Sequence, residues 1–159
     1  MVIDGIRDDP DWKNGEYRGQ PRTALEIAAE MFYIAAGSAL QMQKNFPTRD
    51  ATDAADEDYV KRLTAGHDAN DLLYAVNASW NYDPSPQLEK ITVSVRFVNS
   101  ADDFINPPEL GIAEREIKRV KKGRFVLIPI SEQSHGHGTH TWAATWQQYL
   151  KELLEASQH

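Results

Sequence analysis

A chain of 159 residues is the size of one domain, and its 41% apolar and 26% charged residues are ordinary for a globular protein. The formal net charge of −7 sets long-range electrostatics against nucleic-acid backbones and anionic membrane surfaces. The absence of cysteine excludes disulfides, thiolate chemistry and cysteine-ligated zinc, and no apolar run approaches the roughly 20 residues that cross a bilayer. The opening "MVIDGIRDD" lacks a basic stretch followed by an apolar one, so no signal peptide is read and a cytoplasmic location is the expectation.

In chain order, Asp8 to Gln20 has loop chemistry, with Pro, Gly, Asn and Asp close together. Thr23 is placed to cap a long helix whose Leu25, Ala28, Ala29, Phe32, Ala36 and Ala39 follow helical spacing, with Pro47 as its end. Asp53 can start a shorter helix, acidic at first and basic later, that stops at Gly66. Asp68 caps the next, which carries Leu72, Leu73, Val76 and Trp80 on one face until "DPSPQ" breaks it. Ile91 to Val98 alternates apolar and polar residues as a strand does. Pro107 and Pro108 open a helix that ends at Gly123, and Phe125 to Ile130 is a continuously apolar strand suited to a covered parallel sheet. Trp142, Trp146, Tyr149, Leu150 and Leu153 mark a final helix. The second half is therefore a βαβ unit with a closing helix, and two strands are too few for a complete doubly wound sheet.

Chemistry concentrates at the carboxyl ends of those two strands, where open α/β sheets bind ligands. Asp102 and Asp103 follow the first, and either can act as a helix cap or as an acid. "SHGHGTH", Ser134 to His140, follows the second and holds His135, His137 and His140. Histidine is the usual base at neutral pH, and glycines on both sides of His137 leave its ring accessible. An acid and then a histidine on adjacent strand ends is the second half of the order Ser…Asp…His. The first half is missing: no G-x-S-x-G occurs, Ser38 and Ser79 read as mid-helix, and nothing places Ser131 or Ser134 in a strained turn.

Two metal readings compete with this. "HGHGTH" approaches a zinc signature, but Thr139 stands where an aspartate is needed, and only a short helical tail follows for further ligands. "DPDWKNGEY" superficially resembles a calcium loop, but its glycine falls one place late and Gln20 occupies the bidentate glutamate position. His67 reads as a surface residue before a helix cap.

Together, "DPDWKNGEY" (Asp9–Tyr17), "HDANDLLYAVNASWNYD" (His67–Asp83), "LEKITVSVRFVNSADDFINPPE" (Leu88–Glu109) and "GHGTH" (Gly136–His140) resemble the C-terminal part of homoserine O-acetyltransferase-like α/β-hydrolase-fold proteins. They occur in that family's order and cover almost the entire chain. The resemblance implies a Ser–Asp–His triad and acyl transfer through an acyl-serine. It makes Asp103 the acid, because three residues separate it from Pro107, and makes His137 the base. Gly138 stands where the acetyltransferases usually have an acid that helps hold the amino-acid substrate, so an esterase or an acyltransferase with another acceptor stays open.

The same resemblance implies an organisation: residues 1–21 as an entry segment, 22–87 as a helical lid, and 88–159 as the last two parallel strands of the hydrolase core with their helices. The serine and the oxyanion hole would then lie outside this chain. No cofactor is implied. The expected partners are the chain's own N-terminal half or a second copy, with an acyl donor of the acetyl-CoA kind and a small-molecule acceptor in the complete enzyme, and neither nucleic acid nor membrane. The alternative from a different class is a free-standing, non-catalytic helical α/β module that binds a partner through its unfilled sheet edge.

Overall fold

The computed structural model describes residues 1–157. Along the chain run helices α1 (Val2–Asp8), α2 (Arg22–Ala36), α3 (Ala39–Asn45), α4 (Arg49–Gly66) and α5 (Ala69–Ala78). Strand β1 (Val95–Ser100), α6 (Ile112–Glu116), β2 (Gly123–Ile128) and α7 (Ala143–Ala156) follow, with short 3-10 turns between elements. Two compact units result: Met1–Ile34 with Phe46–Tyr82, and Ala35–Asn45 with the segment that starts at Asp83.

The first unit is helical. Its core is Ile6, Ala24, Leu25, Ala69 and Leu73, with Val2, Ile3, Trp12, Tyr17 and Leu72 packed against it. Ile6 and Leu25 are fully buried, so truncating Leu25 to alanine should cost about 2–5 kcal/mol. Helix α1 was not apparent from its sequence, "VIDGIRD", a single short segment interrupted by Gly5. Thr23 does not cap α2: the helix already includes Arg22, directly after Pro21. The cap comes instead from Asp9, whose Oδ2 accepts the Ala24 N–H at 3.0 Å from a distant part of the chain. Helix α4 starts at Arg49 rather than Asp53, because extended Thr48 follows Pro47 and accepts the Ala51 N–H. Asp68 caps α5 as its sequence indicates, accepting from the Asn70 and Asp71 amides. The helix ends at Ala78, which leaves Trp80 outside it and exposed.

A polar network docks the loop after α1 onto the start of α5. Tyr17 and Gln20 donate to the two Asp68 oxygens, each at 2.6 Å. Trp12 Nε1 donates to Asn70 Oδ1 at 2.8 Å, and Asn70 Nδ2 donates to the Gly15 carbonyl at 3.1 Å. "DPDWKNGEY" and "HDAND" are therefore two halves of one contact. Asp9 is spent on the α2 cap and on the Asp11 amide rather than on a cation.

In the second unit β1 and β2 pair in parallel, from Val95 opposite Gly123 to Ser100 opposite Ile128. Their phenylalanines, Phe97 and Phe125, meet across the pair with ring centroids 5.9 Å apart. The first strand begins four residues later than its alternation indicates, since Ile91 closes a 3-10 turn over Ser85–Lys90, and it runs on to Ser100. The helix expected from Pro107 to Gly123 is broken into short pieces. Gly111 takes a left-handed conformation (φ 63°) after the turn Pro108–Leu110, and Gly123 starts β2 instead of ending a helix. Strand β2 stops at Ile128, not Ile130. Neither strand is covered on both faces by the described residues: Phe97 and Leu127 are 42% and 43% exposed.

The ladder also has a free edge. Val95 N–H donates to Lys122 O and Ala101 N–H to Ile128 O, so alternate residues of β1 face β2. Arg96 and Val98 turn their backbone groups to the opposite side, where no strand lies among the described residues.

Candidate active site

The end of β1 is a tight turn built by Asp103. Its N–H donates to Ser100 O at 3.2 Å, and its Oδ1 accepts the Ile105 and Asn106 amides, both at 2.9 Å. A short polar side chain suits this geometry, because it can stand in for a backbone acceptor. The carboxylate is almost fully buried at 5% exposure and makes a second contact across the strand ends. His137 Nδ1 lies 3.1 Å from Asp103 Oδ2 and 3.2 Å from Oδ1. The capping role and the acid role are thus compatible in one residue.

That contact determines the ring's chemistry. With an ionised carboxylate, which only accepts, a neutral imidazole in this contact has its proton on Nδ1 and its lone pair on Nε2. Asn106 Nδ2 lies 3.4 Å from the same Nδ1, and with Nδ1 protonated Asn106 can contribute only by turning its amide oxygen toward the ring. His137 Nε2 makes no hydrogen bond among the described residues. The ring lines a cavity of about 410 Å³ together with Asp103, Asn106, His140, Trp146 and Arg96. This volume lies within the range of small-molecule sites.

Asp102 takes a different set of partners. Ser100 Oγ and Ser134 Oγ donate to its two oxygens, and the Gly136 N–H donates to Oδ2 at 3.1 Å. Burial raises its pKa, but the Ser100, Ser38 and Ser134 hydroxyls and the Gly136 amide outweigh that and hold it below the ordinary carboxylate range. Ser38 contributes to that field although it has no partner in hydrogen-bond geometry. It sits in the break between α2 and α3, not inside a continuous helix, and its carbonyl accepts the Met42 N–H at the start of α3.

The three loop histidines do not meet at one point, although the His137 and His140 rings are neighbours with centroids 5.0 Å apart. His135 stacks on Trp142 with centroids 3.9 Å apart. His140 Nδ1 is held at 2.6 Å by the His137 carbonyl, whose loop is tied further by Trp146 Nε1 donating to His140 O. No group of metal-ligating side chains that could hold an ion occurs among the described residues. The zinc arrangement therefore has no geometric support here.

The sequence alone assigns Ser100 and Asn106 no role and shows no strained turn at Ser134. Asn106 had a local signal, since it lies between the acid and the Pro-Pro pair. Ser100 and Ser134 had none, because their role appears only when the two strand ends meet.

No protein-family model matches the chain. It is similar to the homoserine O-acetyltransferase of Pelobacter propionicus, with 26% identity over 153 aligned positions covering 83% of this chain and 41% of that protein. The homoserine O-acetyltransferase of Geobacter sulfurreducens is likewise 26% identical, over the same shares of the two chains. Among solved structures, homoserine O-acetyltransferase from Bacillus anthracis superposes with a TM-score of 0.77 at 18% identity, over 96% of this chain and 47% of that one. Esterase E22 gives 0.73 at 18% identity, over 96% of this chain and 48% of that one. The acetyl esterase MekB gives 0.69 at 20% identity, over 99% of this chain and 49% of that one. The chain spans less than half the length of each of these relatives. The chain is thus similar in sequence to homoserine O-acetyltransferases and carries part of an α/β-hydrolase fold, the fold that it shares with the esterases.

Proposed function

We propose that this chain is the acid–base part of a serine-dependent acyltransferase or esterase, with Asp103 and His137 as two members of a Ser–Asp–His triad whose serine lies outside the chain. The observation that carries the reading is the Asp103 carboxylate on His137 Nδ1 at 3.1 Å, which leaves Nε2 free to accept a proton. In the reaction, the serine oxygen attacks the acyl carbonyl carbon while its proton passes to His137 Nε2. Asp103 stabilises the imidazolium. The tetrahedral intermediate collapses, the bond to the leaving group breaks, and Nε2 returns the proton to that group. An acceptor hydroxyl or water then attacks the acyl-serine, again losing its proton to Nε2, and the serine oxygen regains it as the product leaves.

The acyl donor in this reading is an activated ester or thioester of the acetyl-CoA kind. The relatives named as homoserine O-acetyltransferases favour a small hydroxylated acceptor. Gly138, in place of an acidic neighbour of the base, favours water or a different alcohol. The two structural matches named as esterases fit that hydrolytic arm.

The sheet supports the partner in this reading. Arg96 and Val98 present backbone groups that no strand pairs among the described residues, and Phe97 and Leu127 are exposed large apolar residues, so the pair of strands is a template for further strands. The N-terminal half of the same enzyme is the proposed occupant, with a second copy of this chain as the competing one. The test is affinity capture of the chain from its own cells with intact-mass analysis, then labelling of the captured complex with a fluorophosphonate serine probe. A labelled companion carrying a G-x-S-x-G segment is the expected result. Labelling on this chain itself would overturn the assignment.

A further inference from the structure

Two adjacent carboxylates leave the end of β1, and only Asp103 touches the imidazole. Asp102 turns toward the backbone of the loop that carries it. Its Oδ2 accepts the Gly136 N–H at 3.1 Å, and Gly136 immediately precedes His137. The same oxygen lies 2.9 Å from the hydroxyl of Ser134, which is fully buried. Ser134 Oγ accepts the Ser131 N–H at 3.1 Å, and its one proton has two acceptors at 2.9 Å, Asp102 Oδ2 and Ser131 O. The ionised carboxylate is the stronger of the two.

Gly136 is also confined from the other side. Its φ is +59°, and a Cβ built there would lie 2.1 Å from the Gly37 carbonyl oxygen. The peptide just before His137 is therefore pressed against the break between α2 and α3 on one side and tied to Asp102 on the other.

We propose that Asp102 is a positioning residue: by accepting from Ser134 and Gly136, it sets the loop so that His137 Nδ1 meets Asp103. The inference rests on the reading of His137 as general base. A side-chain contact to Asp103 alone fixes one end of the imidazole and lets the ring swing about it. A second attachment, at the amide of the preceding residue Gly136, fixes the backbone from which the ring extends. Misplacement of a reacting group by about 1 Å costs on the order of 10²-fold in rate, so such an attachment has kinetic weight.

The chemistry separates two variants. Asp102→Asn keeps the shape and one oxygen that can still accept from Gly136 and Ser134, while its amide can donate to Ser100 Oγ. Asp102→Ala removes every acceptor. The experiment is long-range ¹H–¹⁵N NMR of the histidine rings in the full chain at neutral pH, with His137 assigned by its disappearance in His137→Gln. Wild type and Asp102→Asn should show His137 as a single Nδ1–H tautomer. Asp102→Ala should lose that signature, its two ring-nitrogen shifts moving toward an average, while cooperative unfolding is retained. Ser134→Ala should move the shifts in the same direction and decides the question if Asp102→Ala fails to fold. A folded Asp102→Ala with wild-type His137 shifts overturns the proposal, as does an unfolded one accompanied by an unchanged Ser134→Ala. Asp103→Asn keeps the two readings apart: if it leaves the His137 tautomer unchanged, the acid–base reading itself fails, whatever Asp102 does.

Discussion

The Asp103 carboxylate and His137 Nδ1, 34 residues apart in the chain, lie 3.1 Å apart at the carboxyl ends of neighbouring parallel strands. In the complete enzyme proposed above, Asp103→Asn would remove the acceptor on His137 Nδ1 and permit the wrong imidazole tautomer. Loss of that carboxylate should reduce turnover by about 10⁴, the magnitude known for the corresponding change in trypsin. Asp102→Asn should cost far less, since it keeps an acceptor for the loop. Turnover of an activated ester by both variants checks the order, and a worse Asp102→Asn would move the acid by one residue.

The chain alone should have no serine-type esterase activity. His137 Nε2 has no hydrogen-bonded serine among the described residues, and Ser134 spends its hydroxyl on Asp102. Hydrolysis of an activated ester by the purified chain, compared with His137→Ala, is the measurement. Turnover that depends on His137 would reveal a nucleophile within the chain.

Gly136→Ala should destabilise the second unit by about 2 kcal/mol or more. The left-handed backbone costs a side-chain-bearing residue on the order of 1–2 kcal/mol, and the new Cβ would collide with the Gly37 carbonyl. Urea unfolding followed by tryptophan fluorescence reads the change. Gly19, whose added Cβ would meet nothing within 4 Å, serves as the matched control.

Acid should weaken the first unit through Asp68. The Tyr17 hydroxyl, then the Gln20 amide, hold its carboxyl below the ordinary 3.8, outweighing burial, which raises it. A depressed folded pKa contributes stability that is fully present above the unfolded value, and that contribution disappears as pH falls through the folded value. Stability should therefore fall as pH drops from about 4 downward. Asp68→Asn should be less stable at neutral pH and should show a shallower acid slope. Equal slopes in the two proteins would remove Asp68 from the account.

Much of the second unit's order was legible in advance. The apolar run "FVLI" and the break at Pro107 and Pro108 come from local chemistry, as does the Asp68 cap in the first unit, whereas the left-handed Gly111 that breaks the expected helix and the start of β2 at Gly123 do not. The exact ends were not. Ile91 and Val93 alternate as a strand does, yet they precede β1, and pairing with Gly123 at Val95 decides where the ladder starts. Helix α1 and the Asp9 cap of α2 depend on tertiary contacts that no short window contains. The same holds at the site. The aspartate pair and the histidine loop are legible by residue type and position, and the family resemblance implies Asp103 and His137 among them, whereas Ser100 and Ser134 gain their role only when the strand ends close on Asp102.

Purified chain should not behave as an isolated monomer at every concentration. Exposed Phe97, Leu127 and Ile130, together with the unpaired edge of β1, favour association. Light scattering across a dilution series, with intact mass, checks this. A compact monomer throughout, with cooperative unfolding, would favour a free-standing module.

The parallel register has a consequence for misfolding. A slip of β2 by one residue would displace its end by about 3.3 Å along the strand and turn every one of its side chains to the opposite face. The 3.1 Å Asp103–His137 contact could not survive that displacement. A mispaired molecule would retain its helices and look native by circular dichroism, yet its imidazole would lack a carboxylate. The histidine tautomer is thus a gauge of strand alignment, able to count correctly threaded molecules in a preparation that bulk spectroscopy would pass as uniform.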